Sequence, residues 1–332
     1  MLVDGFNRKL DYLRVSVTDK CNLRCVYCMP QGGVRPLLHN EVLRNEEFVR
    51  LAGIFADMGI AKVRFTGGEP LLRKGFLDIV SRARAAHPSL IMGLTTNGML
   101  LGQALPGLAG NGVSKLNISL DTIDRTRFRA ITGSDRIDDV LDAIDRALEA
   151  GRFSVKINAV LFRETLDELD GMLDYFRDRD VTLRFIERMP FNGEPGAEGF
   201  TGFGELVRML EQRGTLERNT SIDTSVAVMY SFLYKGLHRM RVGVIPPMTH
   251  KFCGRCNRLR LTCDGLLRVC LHSRKEYDLK TPLRMGLGDD AIRGIIAEAV
   301  ADKPREHTLE CGGEGDGCVS LAARRQMSQI GG

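Results

Sequence analysis

Six short β-rich runs punctuate the first 190 residues: 12–17 (YLRVSV), 61–66 (AKVRFT), 90–96 (LIMGLTT), 114–120 (SKLNISL), 154–161 (SVKINAVL) and 181–186 (VTLRFI). Between most of them lie stretches with apolar residues at helical spacing, such as EEFVRLAGIFADM from Glu46 and IDDVLDAIDRALEAG from Ile137. Such alternation leaves few folds open. Repeated βα units imply a parallel sheet, and six of them predict an α/β chain built as a partial, incomplete TIM-type barrel. In barrels of this kind the chemistry gathers at the C-terminal ends of the strands.

The polar clusters fall where that rule needs them. The first run leads into CNLRCVYC from Cys21, the second into TGGEP (Thr66 to Pro70), the third into TTNG (Thr95 to Gly98) and the fourth into SLD (Ser119 to Asp121). Paired glycines let the backbone approach a ligand closely, and Glu69 offers an acceptor for an ammonium group. An ordinary turn before a helix starting at Lys74 is the plainer reading of TGGEP.

Cys21, Cys25 and Cys28 form a C-x3-C-x2-C group. Iron-sulfur clusters are held by thiolates, so three cysteines can tether three irons of a 4Fe-4S cubane and leave the fourth open to a non-protein ligand. Structural zinc is the alternative, but it wants four ligands, usually as paired C-x2-C units or with His. A second group, CGRCNRLRLTCDGLLRVCL, sets Cys253 and Cys256 as C-x2-C, with Cys270 after thirteen intervening residues. A hairpin through Asp264-Gly265 can return Cys270 to the same cluster. Cys263 is expected in the strand LRLTC as a small apolar side chain rather than a ligand. Cys311 and Cys318 flank CGGEGDGC and read as free thiols on a Gly-rich loop.

Nine cysteines among 332 residues, three of them crowded together, suit metal ligation in a reducing compartment, and a cytoplasmic location is expected. The sequence has no 18-residue apolar run and its first residues lack a signal-peptide core, so neither export nor a membrane span is expected. A balance of 47 Lys plus Arg against 42 Asp plus Glu is too mild to imply nucleic acid. Placement matters more: Arg14, Lys62, Arg64, Lys156 and Arg184 sit on four strand runs, where a barrel would converge them on an anionic partner. Solvated strand-edge charges are the alternative. The Gly- and Pro-rich PFNGEPGAEGFTGFG (Pro190 to Gly204) divides a barrel region, 1–190, from a C-terminal region, 191–332. A helix at 204–213 and irregular β structure through Val244 are expected there.

C-x3-C-x2-C with an aromatic before its last Cys resembles the signature of radical S-adenosylmethionine (SAM) enzymes. The strings YLRVSVTDKCNLRCVYCMP, TGGEPLLR, TTNG, LNISLDT, VKINAV, RFIERM, CGRCNRLRLTCDG and the terminal IGG occur in one order. Together they resemble the molybdenum cofactor biosynthesis protein A family, the GTP 3′,8-cyclases, across essentially the whole chain. The segment TSVAVMYSFLYKG from Thr224 and the loop from Pro190 depart from that family's pattern.

The resemblance implies two 4Fe-4S clusters, SAM, and conversion of GTP to 3′,8-cyclo-7,8-dihydro-GTP in molybdenum cofactor biosynthesis. Cys21, Cys25 and Cys28 would hold the SAM cluster, with Tyr27, Gly68, Ser119 and Met189 contacting SAM. Cys253, Cys256 and Cys270 would hold a second cluster beside the purine. Arg14, Arg64, Thr95, Lys156 and the stretch Arg258, Leu259, Arg260 are implied as substrate contacts, with Lys62 and Arg184 nearby. Arg260 and the terminal Gly331 and Gly332 are implied in catalysis. The partners implied are GTP, a downstream cyclic pyranopterin monophosphate synthase and an electron donor of unspecified identity, with a homodimer left open. A twin-cluster radical SAM maturase of peptides and a non-catalytic nucleotide-binding scaffold are the competing readings.

Overall fold

The computed structural model describes residues 1–29, 35–189, 202–220, 226–307 and 325–331. Cys311, Cys318, Gly332 and most of the loop from Pro190 lie outside them. A short ribbon, β1 (Leu2–Val3) and β2 (Lys9–Leu10), precedes the six barrel strands β3 (Tyr12–Ser16), β4 (Lys62–Thr66), β5 (Ile91–Thr96), β6 (Val113–Ser119), β7 (Ser154–Leu161) and β8 (Val181–Glu187). The C-terminal part adds β9 (Gly214–Arg218), β10 (Val228–Tyr234), β11 (His238–Ile245), β12 (Arg258–Leu261), β13 (Leu266–Arg268) and β14 (Tyr277–Asp278).

The barrel strands end within one residue of the sequence expectation, because apolar residues alternate with others along most of each run. Leu13, Val15, Val63, Phe65, Leu116, Ile118, Val155, Ile157, Leu183 and Phe185 lie in the apolar core under the helices. Helix Asn45–Asp57 buries Phe48, Leu51, Ile54 and Phe55, and helix Ile137–Glu149 buries Ile137, Val140, Ala143, Ile144 and Ala147, each a stripe at helical spacing. The residues between the apolar ones, among them Arg14, Arg64, Lys115, Asn117, Lys156, Asn158 and Arg184, line the other face. That polar face is the inside of the barrel.

β3 to β14 form one sheet in the order β14-β13-β12-β3-β4-β5-β6-β7-β8-β11-β10-β9. Every pairing from β12 through β3–β8 to β11 is parallel. The expected α/β partial barrel is thus the observed fold, with the edge strands β14 and β9 unjoined among the described residues. β12 extends one side of the barrel beside β3, and β11 extends the other beside β8. Two features differ from expectation. Cys263 does not lie in a strand, since β12 ends at Leu261 and Cys263 falls in the following turn, fully buried in the core. The helix after TGGEP starts at Phe76, behind a 3-10 turn at Pro70–Leu72, and not at Lys74.

Candidate active site

The loop after β3 carries Cys21, Cys25 and Cys28. The Cys25 thiol is pushed well up, first by burial and then by Asp121, Cys28 and Cys21, so the three sulfurs share one electrostatic neighbourhood. The amide of Leu23 reaches Cys21 Sγ at 3.4 Å and Asn97 Nδ2 reaches it at 3.8 Å. Donors to sulfur of this kind suit cluster ligation. All the described cysteines are free thiols. Among the described residues no group of three or more His, Cys, Asp or Glu is placed to hold a single metal ion. A cubane instead takes each thiolate on a different iron, so this donor set fits the cluster better than zinc.

Gly68 is required by a close approach. A Cβ there would stand 2.3 Å from the carbonyl oxygen of Lys20 and 2.7 Å from that of Asp19, while Gly68 N and Glu69 N donate to Thr18 O and Lys20 O, both at 2.7 Å. TGGEP therefore braces the cysteine loop. Glu69 is fully buried and accepts from Leu71 N at 3.0 Å, Thr96 Oγ1 at 2.9 Å and Asn97 N at 2.7 Å. Burial outweighs these bonds and lifts its carboxyl to about 7. Its oxygens join TGGEP to TTNG, which fixes the position of this carboxylate beside the cysteine loop. Tyr27 donates to Asp121 Oδ2 at 2.8 Å, and Asp121 also accepts from Val160 N at 2.8 Å. Ser119 ends β6 and Met189 follows β8. These positions and the cysteine loop thus gather at one end of the sheet.

Below them the barrel is lined with cations. Sheet register sets Arg260, Arg14, Arg64, Gly93 and Lys115 side by side across β12, β3, β4, β5 and β6. Thr95, Asn117, Lys156 and Thr182 form a second row, and Ser119, Asn158, Arg184 and Gly243 a third. The two glycines make room for arginine side chains. A Cβ on Gly93 would lie 2.9 Å from Arg64 Nη2, and one on Gly243 would lie 3.1 Å from Arg184 Cγ.

Burial and mutual repulsion weaken these cations' hold on their protons. Arg14 falls to about 10, first through burial. Arg184 falls to about 9 through burial and then Arg64, and Lys156 to about 8 through burial and then Arg184. Burial, Arg14 and Arg258 bring Arg260 well below its ordinary value. No carboxylate is among the main influences on these four groups. Tyr12 is the partly compensating partner: it accepts from Arg64 Nε at 2.8 Å and lies 4.4 Å under Lys62 Nζ. Burial raises its phenol, but Arg64, Arg14 and Lys62 outweigh this and bring it to about 7. Arg184 Nε and Nη2 and Thr95 Oγ1 are buried without hydrogen-bond partners among the described residues. Buried polar atoms are rarely left so.

Cys253, Cys256 and Cys270 come together beside this lining. Burial, then Cys270 and Cys256, raises the Cys253 thiol. Cys256 is likewise raised by burial, yet Arg258 and Lys303 bring it down to about 7. Arg8 Nη1 holds Cys253 O at 2.8 Å and Lys303 Nζ holds Arg258 O at 3.0 Å. Arg258 and Arg260 face the barrel interior, whereas the Leu259 side chain belongs to the core, so only its main chain can serve a substrate. Gly331 is buried, and its carbonyl accepts from Arg260 Nη1 at 2.6 Å. Sequence reasoning missed Tyr12, Gly93, Gly243, Arg8 and Lys303. None has a spacing or motif that marks it, since each acts through a contact distant in sequence.

A model described as the radical SAM superfamily matches residues 15–176, and one described as Molybdenum Cofactor Synthesis C matches residues 181–309. GTP 3′,8-cyclase of Heliobacterium modesticaldum is 44% identical over 339 residues, spanning 100% of both chains. The chain belongs to the GTP 3′,8-cyclase family. A mitochondrial GTP 3′,8-cyclase of Arabidopsis thaliana is 38% identical over 100% of this chain and 84% of its own. In structure, Streptococcus suis SuiB bound to S-adenosylmethionine superposes with a TM-score of 0.63 over 86% of this chain and 68% of its own, at 15% identity. That likeness concerns the fold. The cysteine loop, TGGEP and strands β4 to β7 lie within the radical SAM match. The second cysteine group and Arg258 to Arg260 lie within the other.

Proposed function

We propose that the chain is a radical SAM GTP 3′,8-cyclase, which turns GTP into 3′,8-cyclo-7,8-dihydro-GTP for molybdenum cofactor biosynthesis. The observation that carries this reading is the barrel interior, where buried cations and the unpaired Arg184 and Thr95 atoms lie between two three-cysteine groups. A triphosphate carries about four negative charges, and converging guanidinium groups give it charge-assisted, often bidentate bonds. A peptide substrate brings no comparable charge.

Cys21, Cys25 and Cys28 would hold the SAM cluster, with Tyr27, Gly68, Ser119 and Met189 around SAM. Cys253, Cys256 and Cys270 would hold a second 4Fe-4S cluster facing the purine. When bound, the SAM cluster and SAM supply a 5′-deoxyadenosyl radical able to take hydrogen from the ribose C3′. The chain's own residues orient the nucleotide for that step. Arg14, Lys62, Arg64, Lys156 and Arg184 draw the triphosphate into the barrel, and the polar atoms of Thr95 meet the nucleotide. Arg258 and Arg260 hold the base end beside the second cysteine group, and Arg260 also fixes the Gly331 carbonyl. Closing the barrel on the reactants keeps water from the radical steps.

Downstream, a cyclic pyranopterin monophosphate synthase would take the product, and an external donor would supply electrons. Among the described residues no helix is long and apolar enough to cross a membrane. The test is iron per chain after anaerobic reconstitution. About eight irons are expected, and replacing Cys21, Cys25 and Cys28 together by Ala should leave about four. Four in the unaltered protein would reduce the reading to one cluster, and bound zinc would overturn it.

A further inference from the structure

The last described residues, 325–331, are held at both ends. At the inner end Arg260 Nη1 donates to Gly331 O at 2.6 Å, Ile330 is fully buried, and Gly331 has φ +75°. A Cβ on Gly331 would lie 2.2 Å from Thr66 Oγ1 and 3.1 Å from Ser16 Cβ, so the tail reaches the mouth of the barrel at the ends of β3 and β4. At the outer end Arg325 donates Nη1 and Nη2 to Asp264 Oδ1 and Oδ2 at 3.1 and 2.9 Å, and its Nε lies 2.9 Å from Glu276 Oε1. Asp264 sits in the turn between β12 and β13. Glu276 just precedes β14 and also pairs with the buried Arg268 of β13. Arg268 is the register partner of Arg260. One hairpin therefore carries both anchors.

Between the anchors is a single helical turn, Met327–Ile330. Gln326 N donates to Gln329 Oε1 at 3.1 Å, and Gly331 N to Met327 O at 3.0 Å. One turn of helix is not stable by itself, so its place depends on what holds its ends. A bidentate guanidinium-carboxylate pair fixes direction as well as distance, and this one is only 19% and 12% exposed on its two side chains.

We propose that Arg325 is a positioning residue for cyclisation: gripped by Asp264 and Glu276, it sets how far the tail reaches and so delivers Gly331 to Arg260. This rests on the GTP cyclase reading. The clamp touches neither cysteine group. It therefore governs the cyclisation step and leaves SAM cleavage alone.

The test uses the full chain, anaerobically reconstituted, as wild type, Arg325→Ala, Arg325→Lys and Asp264→Asn. Hydrogen exchange of the C-terminal peptide from residue 325, iron per chain, SAM cleavage and GTP cyclisation are measured on each. Arg325→Ala should free the tail amides to exchange at least about tenfold faster and cut cyclisation at least about tenfold. Iron and SAM cleavage should match wild type. Arg325→Lys keeps the charge without the fork, and with Asp264→Asn it should fall between. Unchanged tail protection in all variants that retain their iron would overturn the proposal, as would faster exchange with full cyclisation. If wild type itself made no cyclised product, the functional reading would fall, while the exchange comparison would still decide the clamp.

Discussion

Arg184 is 8% exposed and its Nε and Nη2 have no partner among the described residues, so replacing it should move stability and binding in opposite directions. Burial and the neighbouring Arg64 bring its guanidinium from its ordinary value down to about 9, a drop of more than three units. At about 1.4 kcal/mol per pKa unit, the charged form is disfavoured in the folded state by about 5 kcal/mol. A base whose folded pKa is depressed is penalised in full at every pH below that value, and relief comes only as pH rises through about 9. The penalty is therefore constant between about pH 6 and 8. Solvent relaxation lowers what a substitution recovers, and removing a buried charge for a well-packed apolar group regains about 1–4 kcal/mol. Arg184→Met should thus raise the melting temperature of the substrate-free protein by roughly 2–8 °C. The same change should weaken GTP by about 2–5 kcal/mol, roughly 30- to 5,000-fold, because a buried charge-assisted contact is lost. Anaerobic thermal melts and calorimetric titration with GTP read the two effects. A lower melting temperature with unchanged GTP affinity would show that Arg184 is structural and would refute the reasoning.

Gly68→Ala places a Cβ 2.3 Å from the Lys20 carbonyl oxygen, so the cysteine loop must move. The cost is about 1–3 kcal/mol in stability, with SAM cleavage falling at least about tenfold; wild-type cleavage would mean that the loop tolerates the shift. Arg260→Ala removes the donor to Gly331 O and should cut cyclisation by about 10²-fold or more. SAM cleavage should persist in that variant, and equal loss of both activities with intact iron would assign Arg260 a folding role instead.

The barrel was legible because its strands obey one rule: apolar residues face the helices and polar ones the interior. YLRVS and KVRFT show it within five residues. The cysteine groups were legible from spacing alone. What was not legible depends on contacts between residues far apart in the chain. Nothing local in RLRL says that it will lie beside β3, or in HRMRVGVI that it will lie beside β8, yet these pairings complete the wall around the cations. Glu69 reads as a ligand group in TGGEP, but its bonds to Thr96 Oγ1 and Asn97 N, which tie TGGEP to TTNG, are not visible in the motif. Cys263 follows a β-rich string, and only the tightness of the Asp264-Gly265 turn puts it outside the strand. Gly93 and Gly243 look like strand weaknesses and are clearances for Arg64 and Arg184.

The central claim is that this barrel presents the ribose C3′ of GTP to the radical and then closes C3′ onto C8. It is tested most directly by anaerobic turnover with SAM, a reductant and GTP deuterated at C3′, followed by mass analysis of the 5′-deoxyadenosine and the nucleotide. The account predicts 5′-deoxyadenosine carrying one deuterium and a new nucleotide that is an isomer of GTP. The C3′ deuterium leaves, a C3′–C8 bond forms, and one electron and one proton complete the product. Unlabelled 5′-deoxyadenosine formed alongside unchanged GTP would contradict it.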